Sequence, residues 1–495
     1  MSALGAGAMA APGLLTSCTS PPAYAPTSTF AQGVASGFHS DTEVVLWTRV
    51  EPLVAPSVNS CDWQVSTSPS MSPVVASGTE VVEAASDHTV KVLVGGLEPG
   101  RSYWYRFEAG GVRSTVGRAS TLPEPDAELE SLRLAYASCQ CYGTGYYPAW
   151  RDVAARDLDG VVFLGDFIYE AGAIQLLRPV RSEPVAECVT IEDYRTKYRL
   201  YRSDPDIQAA QAAHPWAVVW DDHELHNDWN RTDITLNPVR FAAATQAWFE
   251  HQPVMPVDGT RIFRSLRFGR LAELHLLDER QYRDPPVDTL LGVTFLTPEL
   301  ARSDRTILGA EQLSWLLGGL AASNDAGVRH QLLGNPVLIG AVRLLDLDTP
   351  ELRALDPSLL RHAGLYLNSD AWDGFPAERE RLISHLVSER IGGVTILTGD
   401  IHSFWAGPIR ADFEDSSSPA VAYEYAGGAI ASPPGDQQSA LAASLQPAWD
   451  LVDASRNGYG IVECTPEDVT VSFLGVDARY RGSPVTQFAT FPRPI

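Results

Sequence analysis

The sequence predicts a layered α/β fold that follows an N-terminal all-β domain. Three observations indicate this architecture in a chain of 495 residues. Short apolar runs end on polar residues at several places along the chain. Segments with helical spacing of apolar residues lie between these runs. The N-terminal part instead alternates apolar and polar residues and contains no convincing helix. One small β domain and one large α/β domain would account for the whole length.

The apolar runs are typical of strands that are covered on both faces of a sheet. They are LRLAYAS before Cys139, VVFLG before Asp166, WAVVW before Asp221, LAELHLL before Asp278, VRHQLLG before Asn335 and VTILTG before Asp400. In sheets with crossover helices, the carboxyl ends of the strands gather along one edge, and sites form in the crevice there. We therefore expect side chains far apart in sequence to converge at that edge.

Five segments between the runs have apolar residues at helical spacing. They are residues 148–158, 192–213, 240–251, 309–323 and 376–390. Strand and helix thus alternate from about Leu132 onward, which predicts a layered α/β domain. The run VTVSFLGV from Val469 has no helix near it and indicates antiparallel strands at one edge.

The N-terminal region, residues 33–121, is predicted to be a small β-sandwich. The segment Leu97-Glu-Pro-Gly-Arg-Ser-Tyr103 resembles the tyrosine corner of immunoglobulin-like and fibronectin-like sandwiches. A polar, proline-containing linker begins at Thr121, as expected of a domain boundary. We predict three parts: a leader remnant or flexible tail over 1–29, the β-sandwich over 30–122 and the large domain over 131–495.

Composition excludes several classes of function. With 37 basic and 61 acidic residues the formal net charge is -24, which disfavours binding to nucleic acid or to anionic membranes. The 45% hydrophobic and 20% charged residues are typical of a folded protein. No run in the body of the chain is long enough to be a spanning helix. An anionic substrate remains compatible with this charge because bound cations can reverse the field locally.

The first thirty residues predict export from the cytoplasm. They are small and apolar, then rich in Ser, Pro and Thr, like the end of an export signal followed by a spacer, and a disordered tail is the alternative. Leu15-Thr-Ser-Cys18 resembles a lipobox, which would make Cys18 a lipid anchor. We expect a periplasmic, extracellular or lipid-anchored protein. In such a compartment Cys61 could pair with Cys188 or Cys464.

The carboxylate at the end of VVFLGD has two readings. Asp166 could cap the following turn, or it could hold a cation, since a buried carboxylate needs a partner. The recurrence of ligand-type residues after other strands favours the cation. Carboxylates, imidazoles, a phenol and the thiolate of Cys139 would together suit a trivalent or divalent transition ion and a further divalent ion. Adjacent cations can activate a hydroxide for attack on phosphorus, and a nearby His can protonate the leaving group.

Five strings, in order along the chain, resemble the PhoD-like alkaline phosphatases and phosphodiesterases of the calcineurin-like metallophosphoesterases. They are GDFIYE, WDDHE, LLDERQYRD, NSDAWDGF and LTGDIHSFW. The opening FAQGVASGFHSDTEVVLWTRV also resembles that family's N-terminal β domain. The resemblance covers nearly the whole chain from Phe30. It implies a metallophosphoesterase-type layered sandwich and a metal-dependent hydrolase of small phosphate esters.

The resemblance also implies a role for individual residues. Trivalent iron would be held by Cys139, Asp166, Tyr169 and His402, with Asp166 as the bridge to a calcium ion held by Asp222 and Asp400. His223 would be the proton donor or phosphate contact. Asp221 and Glu224 would orient the ligands. An oxygen-rich second site favours Ca²⁺, and a phenolate with a thiolate favours ferric iron.

Weaker candidates lie in the same strings or near strand ends. Asn227, Arg283 and Arg456 could bind substrate, and an arginine fork would suit the phosphate oxygens. Asp278, Asn335 and Asp373 could order the site, but a structural hydrogen bond is an equal alternative. A phosphodiesterase with phospholipase D-like preference shares every motif. A non-catalytic surface protein is a remote alternative, because none of the matched ligands is missing.

Overall fold

The structure is a computed structural model that describes residues 26–171, 179–183, 187–287, 294–347, 349–358, 363–366, 369–412, 415, 417–435 and 449–494. The possible lipid anchor Cys18 and the predicted leader lie outside the described residues. The N-terminal region contains β1 (Val34–Phe38), β2 (Val44–Arg49), β3 (Ser60–Ser66), β4 (Val74–Val81), β5 (Thr89–Val94), β6 (Ser102–Ala109), β7 (Val112–Arg113) and β8 (Gly117–Ser120).

The rest of the chain alternates strands and helices, as predicted. In order it contains β9 (Leu132–Ala137), α1 (Pro148–Ala155), β10 (Gly160–Leu164), α2 (Ile191–Arg202), α3 (Pro205–Ala213), β11 (Pro215–Val219), α4 (Arg231–Leu236), α5 (Pro238–His251), β12 (Arg264–Phe268), β13 (Ala272–Leu276), β14 (Thr294–Phe295), α6 (Gly309–Asp325), β15 (His330–Asn335), β16 (Arg343–Asp346), α7 (Pro350–Leu355), β17 (Gly364–Tyr366), α8 (Pro376–Ser388), β18 (Val394–Thr398), β19 (Phe404–Arg410), β20 (Ala420–Gly427), β21 (Leu451–Asp453), β22 (Asn457–Cys464), β23 (Asp468–Val476) and β24 (Thr486–Pro494).

Two large sheets form the centre of the molecule. One has the order β24-β23-β22-β9-β10-β11-β1-β2-β5, and the other has the order β12-β13-β15-β18-β20-β19-β21. A single core cluster contains residues of both, including Leu164 and Leu276. The sheets approach closely at Gly334, where an added Cβ would lie 2.7 Å from Leu276 and 3.3 Å from Leu164. Helices α6 and α8 cover the second sheet with their leucines, which gives the predicted layered α/β sandwich.

The parallel strands place their carboxyl ends side by side. Strands β9, β10 and β11 pair in parallel, and so do β13, β15, β18 and β20. Strand β23 pairs antiparallel with β22 and β24, so the predicted antiparallel edge is confirmed. The ends of β9, β10, β11 and β18 carry most of the residues that the sequence singled out.

The N-terminal β-sandwich shares a sheet with the large domain. One of its layers is β4-β3-β6-β7, with β8 paired to β6, and the other is the β1-β2-β5 end of the nine-stranded sheet. Strand β1 pairs in parallel with β11 of the large domain. At the predicted tyrosine corner, the Tyr103 hydroxyl accepts a 2.8 Å hydrogen bond from the Glu98 backbone N–H. The domain boundaries remain a prediction.

One sequence-based expectation about local structure is wrong. The single helix expected over 192–213 is divided into α2 and α3, because Pro205 cannot continue a helix and Asp204 caps the next one by accepting from the Asp206 N–H. The sequence left the disulfide pattern open, and in the structure the described cysteines are free thiols, all buried. None of the described helices is long and apolar enough to cross a membrane.

Candidate metal centre

Three predicted ligands from distant parts of the chain meet at the strand ends. Ligand atoms of Cys139, Asp166 and His402 all lie within 4.8 Å of one another. They follow β9, β10 and β18, respectively. Cys139 and Asp166 are buried, and His402 is half-buried. A thiolate, a carboxylate and an imidazole at this spacing form a donor set that a transition-metal ion can occupy.

The backbone at these positions is held in an uncommon conformation. Cys139, Asp166, Asp400 and His402 have φ angles of 60°, 60°, 57° and 52°. Non-glycine residues in the left-handed region cost about 1–3 kcal/mol each and persist where the surroundings fix them, most often at functional sites. Each strand therefore ends in a strained turn that directs a ligand side chain across the sheet edge.

Tyr169 completes this cluster. Its hydroxyl donates a 2.7 Å hydrogen bond to Asp166 Oδ2 and lies 3.1 Å from His402 Nε2. Ser432 Oγ lies 2.6 Å from the same hydroxyl and 2.9 Å from the carbonyl oxygen of Cys139. The phenol oxygen is thus held between the carboxylate and the imidazole, where the resemblance predicts a metal ligand.

A second, acidic cluster adjoins the first. Carboxylate oxygens of Asp221, Asp222 and Asp400 lie within 4.8 Å of one another, and a further group joins Asp166 with Asp222 and His223. Asp166 therefore lies between the two clusters, as a bridging ligand would. Asp222 Oδ1 has no hydrogen-bond partner among the described residues although it is buried. A buried carboxylate oxygen without a partner is a position that a cation can satisfy.

Arg280 is the cation that the fold itself supplies to the acidic cluster. Its side chain is fully buried, with Nε 2.5 Å from Asp221 Oδ1 and Nη1 2.8 Å from Asp370 Oδ2. Nη2 lies farther away, 3.7 Å from Asp400 and 3.9 Å from Asp222. Asp221 is thus held by the guanidinium, whereas Asp222 and Asp400 are left for another cation.

Glu224 fixes the loops that carry the ligands. Its carboxylate accepts backbone N–H bonds from Asp166 at 3.1 Å, Phe167 at 2.6 Å and Asp221 at 2.9 Å. These bonds tie the end of β10 to the end of β11. The contacts favour the orienting role predicted for Glu224 over direct metal binding.

His223 forms a carboxylate-imidazole pair with Glu170. Nδ1 of His223 lies 2.6 Å from Glu170 Oε2, and Glu170 Oε1 accepts the Asn227 N–H at 3.1 Å. The imidazole also stacks on the Tyr169 ring, with centroids 4.0 Å apart. With Nδ1–H donated to Glu170, the ring presents Nε2 as its other polar atom. Although burial alone would lower the pKa of His223, Asp222, Asp166 and Glu170 raise it well above its usual value.

The electrostatics of the cluster call for additional positive charge. Burial raises the pKa of Asp166 well above its usual value, with Asp222, Asp221 and Glu224 adding to the shift. Burial and Asp221 do the same for Asp400. Burial, Asp166 and Asp400 raise the pKa of the Cys139 thiol. Bound cations would stabilise the ionised forms that ligation needs, so the residues present fit a metal centre.

The three predicted substrate contacts lie in different places. Asn227 is exposed beside the cluster, and its amide donates to Asp228 Oδ2 at 2.7 Å. Arg283 is buried and donates to the carbonyls of Asp228 and Trp229 and to Asp370. Its two Nη groups thus hold a loop, whereas its Nε has no hydrogen-bond partner among the described residues, and a contact of Arg283 with substrate stays a prediction.

Arg456 does not join the metal cluster either. It pairs with Asp453 at 2.9 Å and lines a cavity of about 1150 Å³ beside the segment 431–435. In the described part of the chain, none of the predicted metal ligands lines that cavity. The sequence position of Arg456 relative to the other motifs does not indicate where its side chain lies in the fold. Its predicted contact with the reacting phosphate is therefore not supported.

Structural hydrogen bonds account for the other weak candidates. Asp278 accepts from the Trp220 indole, Asp373 accepts from Arg379, and the Asn335 amide donates to the Val337 carbonyl. Sequence reasoning did not single out Glu170, Arg280, Asp370 and Ser432. Glu170 and Arg280 lie inside the quoted strings GDFIYE and LLDERQYRD, so their position in those strings was the available signal.

Comparisons with known proteins agree with this geometry. The family profile described as PhoD-like phosphatase matches residues 134–473, and that of the PhoD-like phosphatase N-terminal domain matches residues 17–123. The chain is 36% identical over 423 residues to alkaline phosphatase D of Bacillus subtilis strain 168, covering 81% of this chain and 69% of that protein.

Two solved structures are similar in fold. A structure of PhoD matches with a TM-score of 0.85 and 32% identity, covering 95% of this chain and 92% of that one. A purple acid phosphatase from yellow lupin, Lupinus luteus, matches with a TM-score of 0.56 and 10% identity, covering 93% and 73%. The second likeness concerns the fold alone. It agrees with a metallophosphoesterase-type sandwich.

Proposed function

We propose that this chain, which belongs to the PhoD-like phosphatase family, is a metal-dependent hydrolase of phosphate esters. The reaction would take place at the Cys139–Asp166–His402 cluster and the adjoining acidic cluster. The observation that carries this proposal is the meeting of thiol, carboxylate, phenol and imidazole groups from separate strand ends within 4.8 Å or hydrogen-bond distance. Such a mixed donor set is characteristic of a metal centre.

Two kinds of metal ion suit the two halves of the site. Cys139, Asp166, Tyr169 and His402 would hold trivalent iron, because a thiolate and a phenolate stabilise the ferric state. Asp222 and Asp400, with Asp166 as the bridge, would hold calcium, which prefers oxygen ligands. Bound together, such ions supply Lewis-acid activation of water and neutralise charge on a phosphoryl group.

The protein residues would perform the remaining tasks. His223, held through Nδ1 by Glu170, would donate a proton from Nε2 to the oxygen of the departing alcohol. The neighbouring carboxylates of Asp222, Asp166 and Glu170 raise the pKa of His223, which favours the protonated imidazole that a proton donor needs. Asn227 lies close to this histidine and would contact the substrate. Glu224 and Arg280 would keep the ligand carboxylates in place.

The substrates would be small phosphomonoesters, phosphodiesters or both, and a phosphodiesterase with phospholipase D-like preference uses the same residues. Similarity to an alkaline phosphatase favours phosphomonoesters as the first substrates to test. The net charge of -24 supports a small-molecule substrate rather than a nucleic acid. We also propose that the chain is exported, as a periplasmic, extracellular or lipid-anchored protein, and that Cys18 would carry the lipid in the anchored case.

Replacement of Asp166 by Asn tests the proposed function. We expect turnover of p-nitrophenyl phosphate and of bis(p-nitrophenyl) phosphate to fall at least about 100-fold, the upper range for loss of a group that supports a metal. Asp373→Asn is the matched control, because Asp373 is a buried aspartate that pairs with Arg379 instead. Full turnover by folded Asp166→Asn protein would contradict the bridging role.

A further inference from the structure

Arg202 is a buried arginine whose charge is not paired with a carboxylate. Its side chain is fully buried at the end of α2. Among the described residues, no carboxylate oxygen lies within 4 Å of its guanidinium, and Nε has no hydrogen-bond partner. Its other nitrogens donate to the Gln211 amide oxygen at 2.8 Å and to the His251 carbonyl. Burial lowers the pKa of Arg202 to about 9. A buried charge in this state needs another source of stabilisation.

Two aromatic rings supply that stabilisation. The Arg202 guanidinium carbon lies 4.0 Å from the centroid of the Trp47 ring and 5.0 Å from that of the Phe167 ring. Trp47 belongs to β2 of the N-terminal sandwich. Phe167 directly follows Asp166, the proposed bridging ligand. A desolvated cation–π contact contributes about 2 kcal/mol or more. Arg202 therefore connects the N-terminal sandwich to the metal loop by direct contact.

A second set of contacts joins the same two regions. Asp87, in the N-terminal sandwich, lies 3.1 Å from Nε2 of His251. The His251 ring stacks on Tyr198 at 5.0 Å, and Tyr198 stacks on Phe167 at 5.9 Å. Both sets of contacts therefore end on the Phe167 ring.

Phe167 is the anchor of a strained segment. Asp166, immediately before it, has a φ of 60°, which is stable only where neighbouring contacts hold the backbone. The Phe167 N–H donates to Glu224 Oε1 at 2.6 Å, and its carbonyl accepts from the Gln140 amide at 2.9 Å. These bonds fix the backbone, and the ring contacts fix the side chain. The ring contacts and the backbone bonds together hold the residue that follows Asp166.

We infer that Arg202 is a positioning residue through which the N-terminal sandwich holds the Asp166 carboxylate in its metal-binding position. This inference rests on the proposed metal-binding role of Asp166. The N-terminal sandwich then supports the metal centre through direct side-chain contacts. Trp47 restrains Arg202, Arg202 restrains Phe167, and Phe167 fixes the strained turn at Asp166. Disturbance of this contact should loosen the metal before it unfolds the protein.

The test is the rate of metal release from the full-length holoprotein at 25 °C. Arg202→Met keeps the length and apolar volume of the side chain but removes the cation. We expect it to lose metal to EDTA about tenfold faster than wild type, measured by elemental analysis of dialysed samples. Arg202→Lys, which restores a cation, should recover part of the difference. The kcat for p-nitrophenyl phosphate should fall in parallel, with KM nearly unchanged.

Arg305→Met is the matched control. Arg305 is also buried, lies 5.0 Å from the Phe375 ring and donates to backbone carbonyls, but its contacts are remote from Phe167. It should lower the melting temperature without altering metal release. Equal release rates in wild type and Arg202→Met would overturn the inference and leave the proposed function intact. Wild-type protein that binds no metal would instead contradict the proposed function. Release from Arg305→Met as fast as from Arg202→Met would also overturn the inference, because general destabilisation would then explain both.

Discussion

Two buried carboxylate clusters in this molecule have opposite electrostatics. At the contact between the sandwich and α2, Asp87 is surrounded by Arg49, Arg199 and His251, at 2.9 to 3.1 Å. Burial would raise the pKa of Asp87, but these partners hold it well below its usual value. At the strand ends, burial raises the pKa of Asp166 well above its usual value. The fold thus neutralises one cluster internally and leaves the other short of positive charge.

This difference in pKa shift distinguishes a carboxylate that stabilises the fold from carboxylates that are available to bind metal ions. A carboxylate that is paired with arginines is complete without any ligand, and removal of one partner of such a buried pair destabilises the fold. Among the described residues, the carboxylates at the strand ends outnumber their internal cations, Arg280 and the His223 imidazole, and they are complete only when external cations bind. Burial alone does not distinguish the two clusters, because both are nearly inaccessible to solvent. The two clusters differ instead in the number of cationic side chains available to each carboxylate.

Among the residues that support the metal ligands, the largest effect is expected at Glu170, whose carboxylate pairs with His223. Glu170→Gln keeps the shape but removes the charge that stabilises the protonated imidazole. We expect kcat for an alkyl phosphate to fall about tenfold or more, because a poor leaving group needs the proton. The nitrophenyl ester should lose less, since nitrophenolate leaves readily.

The measurement that tests this role is the ratio of the kcat loss on the alkyl phosphate to the kcat loss on the nitrophenyl ester in Glu170→Gln. Glu378→Gln serves as the control, because Glu378 is a buried glutamate that accepts the backbone N–H groups of Ile307 and Leu308. It should change both substrates equally. An identical loss on both esters in Glu170→Gln would show that Glu170 does not act through proton donation.

The next effect concerns the neutralised cluster. Asp87→Asn should lower the free energy of unfolding by about 3 kcal/mol, as expected when one partner of a buried ion pair is removed. The folded pKa of Asp87 lies below its unfolded value of about 3.9, so its stabilisation is present above that pH and is lost as pH falls below about 4. Urea denaturation of both proteins at pH 7 and near pH 3 measures the difference.

The difference in free energy of unfolding between wild type and Asp87→Asn should be smaller near pH 3 than at pH 7. If Asp87→Asn destabilised the protein equally at both values, the carboxylate charge would not be the source of the stability. If it had no effect at pH 7, the contrast between the two clusters would be wrong.

The smallest effect is expected at Arg456. Its side chain is 39% exposed and pairs with Asp453. Arg456→Ala should change kcat/KM by no more than about twofold, the usual range for a surface substitution. Steady-state kinetics on both nitrophenyl esters would measure this. A loss of tenfold or more would restore Arg456 as a substrate contact.

The sequence was sufficient to predict which ligands converge but not how they are supported. Cys139, Asp166 and His402 could be predicted to meet because each follows a buried strand, and parallel strands end at one edge. The contacts of Arg280 and Ser432 could not, since they depend on the side-chain distances across loops. Arg283 looked like a phosphate ligand by its chemistry, and only the structure shows that its Nη1 and Nη2 groups donate to backbone carbonyls.

The relation between the two domains was also hidden. Strand β1 pairs with β11, about 180 residues farther along the chain, and no local pattern reveals such a pairing. The stacking of Arg202 between Trp47 and Phe167 depends on that pairing. The division of the helix at Ser203 was readable in principle from Asp204-Pro205, a common helix start.

The most direct test of a two-metal centre is elemental analysis of the purified wild-type protein alongside Asp166→Asn. We expect iron and calcium in the wild type, with both reduced in the variant because Asp166 belongs to the group with Cys139 and His402 and also lies against Asp222 of the acidic cluster. Active wild-type protein that contains zinc alone would contradict the metal assignment. Active protein free of any bound metal would contradict the metal centre itself.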